Sequence, residues 1–486
     1  MTTAAPTPTH LKDLDRSVAW GEVAVSLFSS GDRRLEAHTY LADGYGLRKR
    51  IETKDGISVP LSTLARVWQP SRLKGYVVPA GKGLPFLSAG QVFEARPRVR
   101  KWIATAMVRD AVLRQVEKEW LLLSCSGEVG KLTAVYDEHL HKVITHDLLR
   151  IVPHNASDYG WLYAYMRTPT FYSIARSAQY GHMIKHLEAA HVLTMPVVMP
   201  DLSTRALIGH KASRALELRQ ESRRTQIAAD AEYARLINPT GLPVAQEVFQ
   251  EVNATELMFG RRRFEGQYFR SDFRIIESLI RAAATRGVDT VGSATKSVTL
   301  GNRFKRYFGE NGTPYRSAGE LFDVNAPVTK RIYSALLDDP ERYMLQPGHL
   351  VMARSGQTYG LLGRTMILNE QHRGVFGSDD FIRIEPDPQK IRIGYLQTAL
   401  AHETYGRPLA IRHASGTSIP HLDPVDIREV PIPRFDPSDE GRIADLCESA
   451  SQMSAEADAM ETEAIAEAES AIEEMTGVHA VSSLDE

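Results

Sequence analysis

The side chains able to do chemistry are few, and their spacing argues against catalysis. Cys125 stands in Ser-Cys-Ser-Gly-Glu, a setting that could present a thiolate. A second copy of the same stretch has Arg354 at that position, so Cys125 is expected to be a small buried side chain instead. His139, His141 and His146 are close enough to suggest a metal, but the second copy has no equivalent trio. Exposed or hydrogen-bonded imidazoles are the expectation. His186 and His421 recur in matched Ile-x-His-Leu frames, yet no oriented partner for a general base accompanies either, and each is expected to anchor a turn. There is no Gly-rich phosphate loop. Asn238-Pro239-Thr240 lacks the second proline and the aromatic of the Asn-Pro-Pro-Tyr motif. Asp380 and Glu385 flank a strand without a following Glu-x-Lys, and the counterpart at Asp147 lacks the glutamate. No catalytic, metal-binding or cofactor-binding residue is assigned.

What remains is cationic. The first half carries Arg72, Lys74, Tyr76, Lys82, Arg96, Arg98, Arg100 and Lys101; the second carries Arg303, Lys305, Arg306, Tyr307, Arg316, Lys330, Arg331 and Arg354. Side chains of this kind neutralise phosphates, and a subset of the arginines could read guanine edges in a major groove. These sixteen residues are the candidate DNA contacts. The net charge of −2 conceals a division. From Asp436 onward fifteen acidic residues face one basic residue, Arg442, so the other 435 residues carry an excess of +12 that suits a polyanion.

The elements that must position these groups are duplicated. Ile184, His186, Leu187 and Pro196 align with Ile419, His421, Leu422 and Pro431 at an offset of 235. Upstream the offset is 229, where Ser126-Gly127 aligns with Ser355-Gly356, and Gly83 to Gly90 with Gly312 to Gly319. Arg34, Leu35, Glu36 and Ala37 match Arg263, Phe264, Glu265 and Gly266. Strand-like runs are expected over Ile57 to Val67 and Val288 to Leu300, and buried strands over Trp120 to Cys125 and Gly348 to Arg354. Each copy then opens into a long helix with a narrow apolar stripe. Residues 205–237 hold seven basic and four acidic side chains against the acidic second helix. Antiparallel pairing across a pseudo-twofold axis follows. The expected divisions are 1–200, a first globular domain; 201–240, a spacer helix; 241–435, a second domain; 436–476, a second helix; and 477–486, a tail. The class is α+β.

Charged residues at 24% and hydrophobic residues at 43% describe a soluble globular protein. The N-terminus has no basic start or apolar run of a signal peptide, and no stretch approaches a membrane span. Two cysteines form no disulfide framework. A reducing cytoplasm is expected.

Two units each closing on Gly-x-x-Ile-x-His-Leu, then Pro-(Val/Ile)-x-x-Pro or its shorter form, then a long helix, resemble the specificity subunit of type I restriction–modification systems. Arg34 to Tyr40 and the run Gln346-Pro-Gly-His-Leu-Val-Met-Ala-Arg-Ser-Gly356 are also similar to that family. The first copy departs from the pattern with Tyr180-Gly-His-Met in place of the Ser-Gly-Thr-Ser at 415–418, and with Lys185 in place of Pro420. The resemblance implies a non-catalytic subunit that binds a bipartite target on double-stranded DNA and docks two methyltransferase subunits, and through them restriction (translocase–nuclease) subunits. S-adenosylmethionine and ATP/Mg would belong to those partners, and this chain would hold no cofactor. Two other readings stay open: a DNA-binding adaptor of another defence or modification complex, and a divergent nuclease or methyltransferase.

Overall fold

The computed structural model describes residues 39–40, 42–108, 110–181, 183–242, 251–258, 263–327 and 330–477. The 34–37 motif lies outside the described residues.

Helices and strands are mixed, and the strand pairing occurs twice. One four-stranded antiparallel sheet runs in the order Ala65–Trp68, Leu148–Pro153, Leu121–Ser124, Leu132–Ala134. Another has Thr295–Leu300, Phe381–Pro386, Leu350–Ala353, Thr365–Ile367 in the same order. The unbroken apolar runs in Leu121–Ser124 and Leu350–Ala353 are buried on both faces, as covered interior strands require. A smaller outer sheet also recurs. In the first half Leu84–Leu87 pairs antiparallel with Lys101–Ile103 and parallel with Val143–Ile144. In the second, Phe308–Arg316 pairs the same two ways with Arg331–Ile332 and Phe376–Gly377.

The single strands expected over Ile57 to Val67 and Val288 to Leu300 are each broken in two. Ser58–Pro60 and Val288–Thr290 pair instead with Pro196–Val198 and Pro431–Pro433. A helical turn then carries the chain into the four-stranded sheet. In the second copy the break has a local cause. Ser293 N donates to Thr290 Oγ1 at 3.2 Å and Thr290 N to Ser293 Oγ at 2.9 Å, a reciprocal cap that starts a helix where hydrophobicity alone reads as strand.

The turn around the Ile-x-His-Leu frame is matched bond for bond. In the first copy His186 N donates to Tyr180 O, Leu187 N to Cys125 O and Gly127 N to Lys185 O. In the second His421 N donates to Ser415 O, Leu422 N to Arg354 O and Gly356 N to Pro420 O. Gly181 and Gly416 hold φ of +97° and +103°, a region costly for a side chain bearing Cβ.

The long helices run over Leu202–Ile237 and Pro437–Thr476. At 1.5 Å per residue they are about 54 and 60 Å long. Asp201 caps the first by accepting from Ser203 N at 2.9 Å and Thr204 N at 3.1 Å. Lys211 meets Glu467, Arg219 meets Asp458, Gln226 meets Cys447 and Glu232 meets Arg442. As one number rises its partner falls, so the pair is antiparallel. Buried positions repeat at the 235 offset: Ile208, Gly209, Ala212, Ala215, Ser222, Ala229 and Ile237 match Ile443, Ala444, Cys447, Ala450, Ala457, Ala464 and Ile472. Small residues dominate this seam and let the backbones approach until Ser222 Oγ donates to Ala450 O at 2.6 Å. Gly160 and Gly394 repeat the same device, since a Cβ on either would collide with the helix backbone at Gly209 or Ala444.

Neither helix is a mere spacer. Ile208, Ala212 and Leu216 of the first and Ala464, Ala468 and Ile472 of the second close the first unit's core. Tyr233 and Ile237, with Ile443 and Ala444, close the core of the second.

Candidate nucleic-acid interface

Arg72-Leu-Lys-Gly-Tyr76 and Arg303-Phe-Lys-Arg-Tyr307 occupy irregular segments that lead into the two outer sheets. Each is tied down by one matched backbone bond at 2.9 Å, Ala104 N to Tyr76 O and Tyr333 N to Tyr307 O. That bond fixes the backbone while leaving the side chains outside. Arg72, Lys74, Lys82, Lys101, Arg303 and Lys305 are exposed, and among the described residues none has an ion-pair partner. Tyr76 is 70% exposed and Tyr307 40%. Lys305 Nζ lies 5.1 Å from the Tyr307 ring centroid. Cations without partners beside an exposed ring can meet phosphate and base with no internal bond to break.

The other expected contacts are already engaged. Arg306 pairs with Asp379, Lys330 with Glu320 at 3.5 Å and Arg354 with Asp380 at 3.4 Å. Arg331 Nη1 donates to Gly312 O at 3.2 Å, and Arg316 Nη1 to Pro327 O at 2.7 Å. Arg96 pairs with Asp230 on the first long helix, Arg98 with Glu403 of the second unit, and Arg100 with Glu94. These last three are half-buried where the units meet, so their expected exposure to a ligand does not hold. Burial next to Arg96, Arg364 and Arg407 lowers the Arg98 pKa.

That junction is built from equivalent residues. Glu94 and Asp323, mates at the 229 offset, form a β-bridge. Ala95 N donates to Phe322 O at 2.9 Å, and Val324 N to Phe93 O at 2.8 Å. Lys131 Nζ pairs with Asp323 at 2.5 Å, and Arg364 Nη2 with Glu94 at 2.6 Å. Lys131 and Arg364 are themselves mates, since each gives its carbonyl to the strand residue Ser124 or Ala353. Reciprocal contacts between equivalent residues define a twofold relation. Sequence reasoning missed all four groups.

A second buried cluster breaks that symmetry. Glu461 is fully buried, bonded to Tyr163 and Arg167, and 2.5 Å from Arg219. Arg219 also pairs with Asp458 at 2.6 Å, and Arg167 Nη2 donates to Asn325 O at 2.7 Å. Burial pushes the Glu461 pKa up, but Arg167 and Arg219 overcome it and hold it down at about 2. The signal for this cluster was a lone glutamate inside an alanine stripe.

Cys125 is buried, and burial with help from nearby Asp147 pushes its thiol up to about 12, which favours the protonated thiol at neutral pH. His139 does have a mate, His372. Tyr136 N donates to His139 Nδ1, and Asn369 N to His372 Nδ1, each at 3.1 Å. Burial lowers these imidazoles to about 3 and about 4, so both are neutral turn caps. Among the described residues no cluster of His, Cys, Asp and Glu could hold a metal ion, and no helix is long and apolar enough to cross a membrane.

No protein-family model matches the chain, and no curated protein does either. Solved structures with a loosely similar fold come from type I restriction–modification systems. The S subunit from M. genitalium is 13% identical with a TM-score of 0.36, over 88% of this chain and 98% of that one. The HsdS subunit from Thermoanaerobacter tengcongensis is 10% identical with a TM-score of 0.25, over 87% and 97%. A structure from work on complex assembly and conformational transition of the type I R-M system is 11% identical with a TM-score of 0.26, over 85% and 97%.

Proposed function

We propose that this chain is the sequence-specific DNA-recognition subunit of a type I restriction–modification complex in the cytoplasm, serving phage defence. Each unit takes one half of a bipartite duplex target. The observation that carries this reading is the pair of exposed Arg-x-Lys-x-Tyr segments at equivalent places on two units held in fixed relation. Phosphates meet Arg72, Lys74, Arg303 and Lys305, while Tyr76 and Tyr307 supply contact to bases or sugars. The chain docks two methyltransferase subunits and, through them, restriction subunits. Methyl donor, ATP and magnesium act in those partners.

Binding of random duplex by the purified chain at graded salt tests the electrostatic part. Affinity should fall steeply with ionic strength, with a slope near about −0.9 per phosphate neutralised. A flat salt response would count against it. The enzymatic reading is tested by incubating duplex with the chain and magnesium; cutting by a preparation free of partners would overturn the non-catalytic assignment. Salt-steep binding with no sequence preference would favour the adaptor reading.

A further inference from the structure

The twofold relation gives every position near the axis a mate, and one set of mates is packed on one side only. In the first unit Tyr136, Tyr163 and Arg167 crowd against Leu216 and Arg219 of the first long helix and Glu461 of the second. Their mates are Asn369, Gln397, Ala401, Ser451, Ser454 and Gln226, at the offsets set by the histidine caps, the glycine seats and the helix seam. Five of the six are smaller than the residue they replace, and the sixth exchanges a carboxylate for an amide. All six line a cavity of about 520 Å³ between the units and the helix pair.

Interiors are normally packed to crystal density, and this fold packs the equivalent space with its own side chains. The frame therefore does not require the cavity. Its volume lies in the range of small-molecule sites, roughly 300–1,000 Å³. The residues filling the mate site indicate what would fit here: phenol rings together with one carboxylate clasped by guanidinium groups. The cavity offers apolar walls from Ile227, Phe322 and Met366 and a cation from Arg316; Glu138, Glu320, Asp323 and Asp458 also line it, but each is already paired, with Arg223, Lys330, Lys131 and Arg219. Arg316 donates to Pro327 O; Glu320, Asp458 and Asp323 lie close enough to act on its charge, but among the described residues no carboxylate is at ion-pair distance. Its charge is thus without a counter-ion in contact, which an anion from solution would supply.

We propose that this cavity binds a small aromatic anion, with its ring against the apolar wall and its charge on Arg316. Walls from both units and both helices line the site, so the ligand ties the units together and stabilises their spacing. This inference does not depend on what the outer segments bind.

Fluorescence titration of the full chain with 8-anilinonaphthalene-1-sulfonate tests it, with uncharged N-phenyl-1-naphthylamine as control. Saturable binding at one site is expected, about tenfold tighter for the sulfonate than for the neutral dye. Arg316→Gln should remove that preference while leaving the neutral dye unaffected. Ser451→Leu with Ala401→Met, which restores bulk seen in the mate site, should abolish binding of both dyes. No saturable binding, equal affinity for the two dyes, or a preference that survives Arg316→Gln would overturn the proposal. If the filled variant does not fold, the two dyes on the wild type and on Arg316→Gln still decide it.

Discussion

A carboxylate with no exposed surface persists in an interior only when cations meet it at contact distance. Glu461 is in that position between Arg167 and Arg219, and Glu461→Gln would leave Arg167 without its carboxylate and Arg219 with Asp458 alone. Chemical denaturation should show a loss of about 3–5 kcal/mol. The same carboxylate sets one pH limit. Its folded pKa lies below the ordinary value of 4.5, so its stabilisation is complete above that value and is lost as pH falls towards about 2. His139 and His372 act higher on the scale. Their folded pKa values lie below the free-imidazole value of 6.5, so the unfolded chain takes up protons that the folded chain refuses. Stability measured by urea titration should therefore decline as pH drops from about 6.5 to 4, and His139→Asn with His372→Asn should flatten that slope. At the outer segments, Lys74→Ala and Lys305→Ala form a matched pair, one in each unit. Each should weaken DNA binding for all sequences and reduce the salt slope by about one.

At the scale of elements, the repeated order of strands and turns was legible because motifs such as Ser-Gly and Ile-x-His-Leu make specific backbone bonds. The helix pair was legible from its length and charge. Its seam was legible in part. Of the apolar residues at three- and four-residue spacings in the second helix, Ile443, Ala450, Ala464 and Ile472 are buried and Met453, Met460 and Ile465 only half-buried, while Ala457, Glu461 and Ala468 of the packed stripe were missed. Alanine is the best helix former on any face, so its presence does not announce a contact. The ionic frame at the junction was hidden for a related reason. Arg96 and Arg98 read as surface cations until the fold brings Asp230 and Glu403 to them from distant parts of the chain. The helices and the Glu94–Asp323 bridge set the same distance twice. Inserting one turn of four residues at the middle of both helices should separate the units by about 6 Å, near two base pairs of duplex, and open the bridge. Motif selection on that variant should return a gap longer by about two; an unchanged gap would refute the spacing role.

For the whole molecule, two equivalent units are held across one axis. The isologous bridge, the paired Lys131–Asp323 and Arg364–Glu94 contacts and the matched helix seam all fix that relation, while the outer residues are free to differ. Arg303-Phe-Lys-Arg-Tyr307 is not a copy of Arg72-Leu-Lys-Gly-Tyr76, so the two half-sites should differ in sequence. The most direct test is selection from random duplex DNA by this chain co-expressed with the methyltransferase subunit proposed as its partner. Two readers on one axis should return two short specified blocks of unlike sequence around a gap of fixed length. A single continuous motif, or none above the electrostatic background, would contradict them.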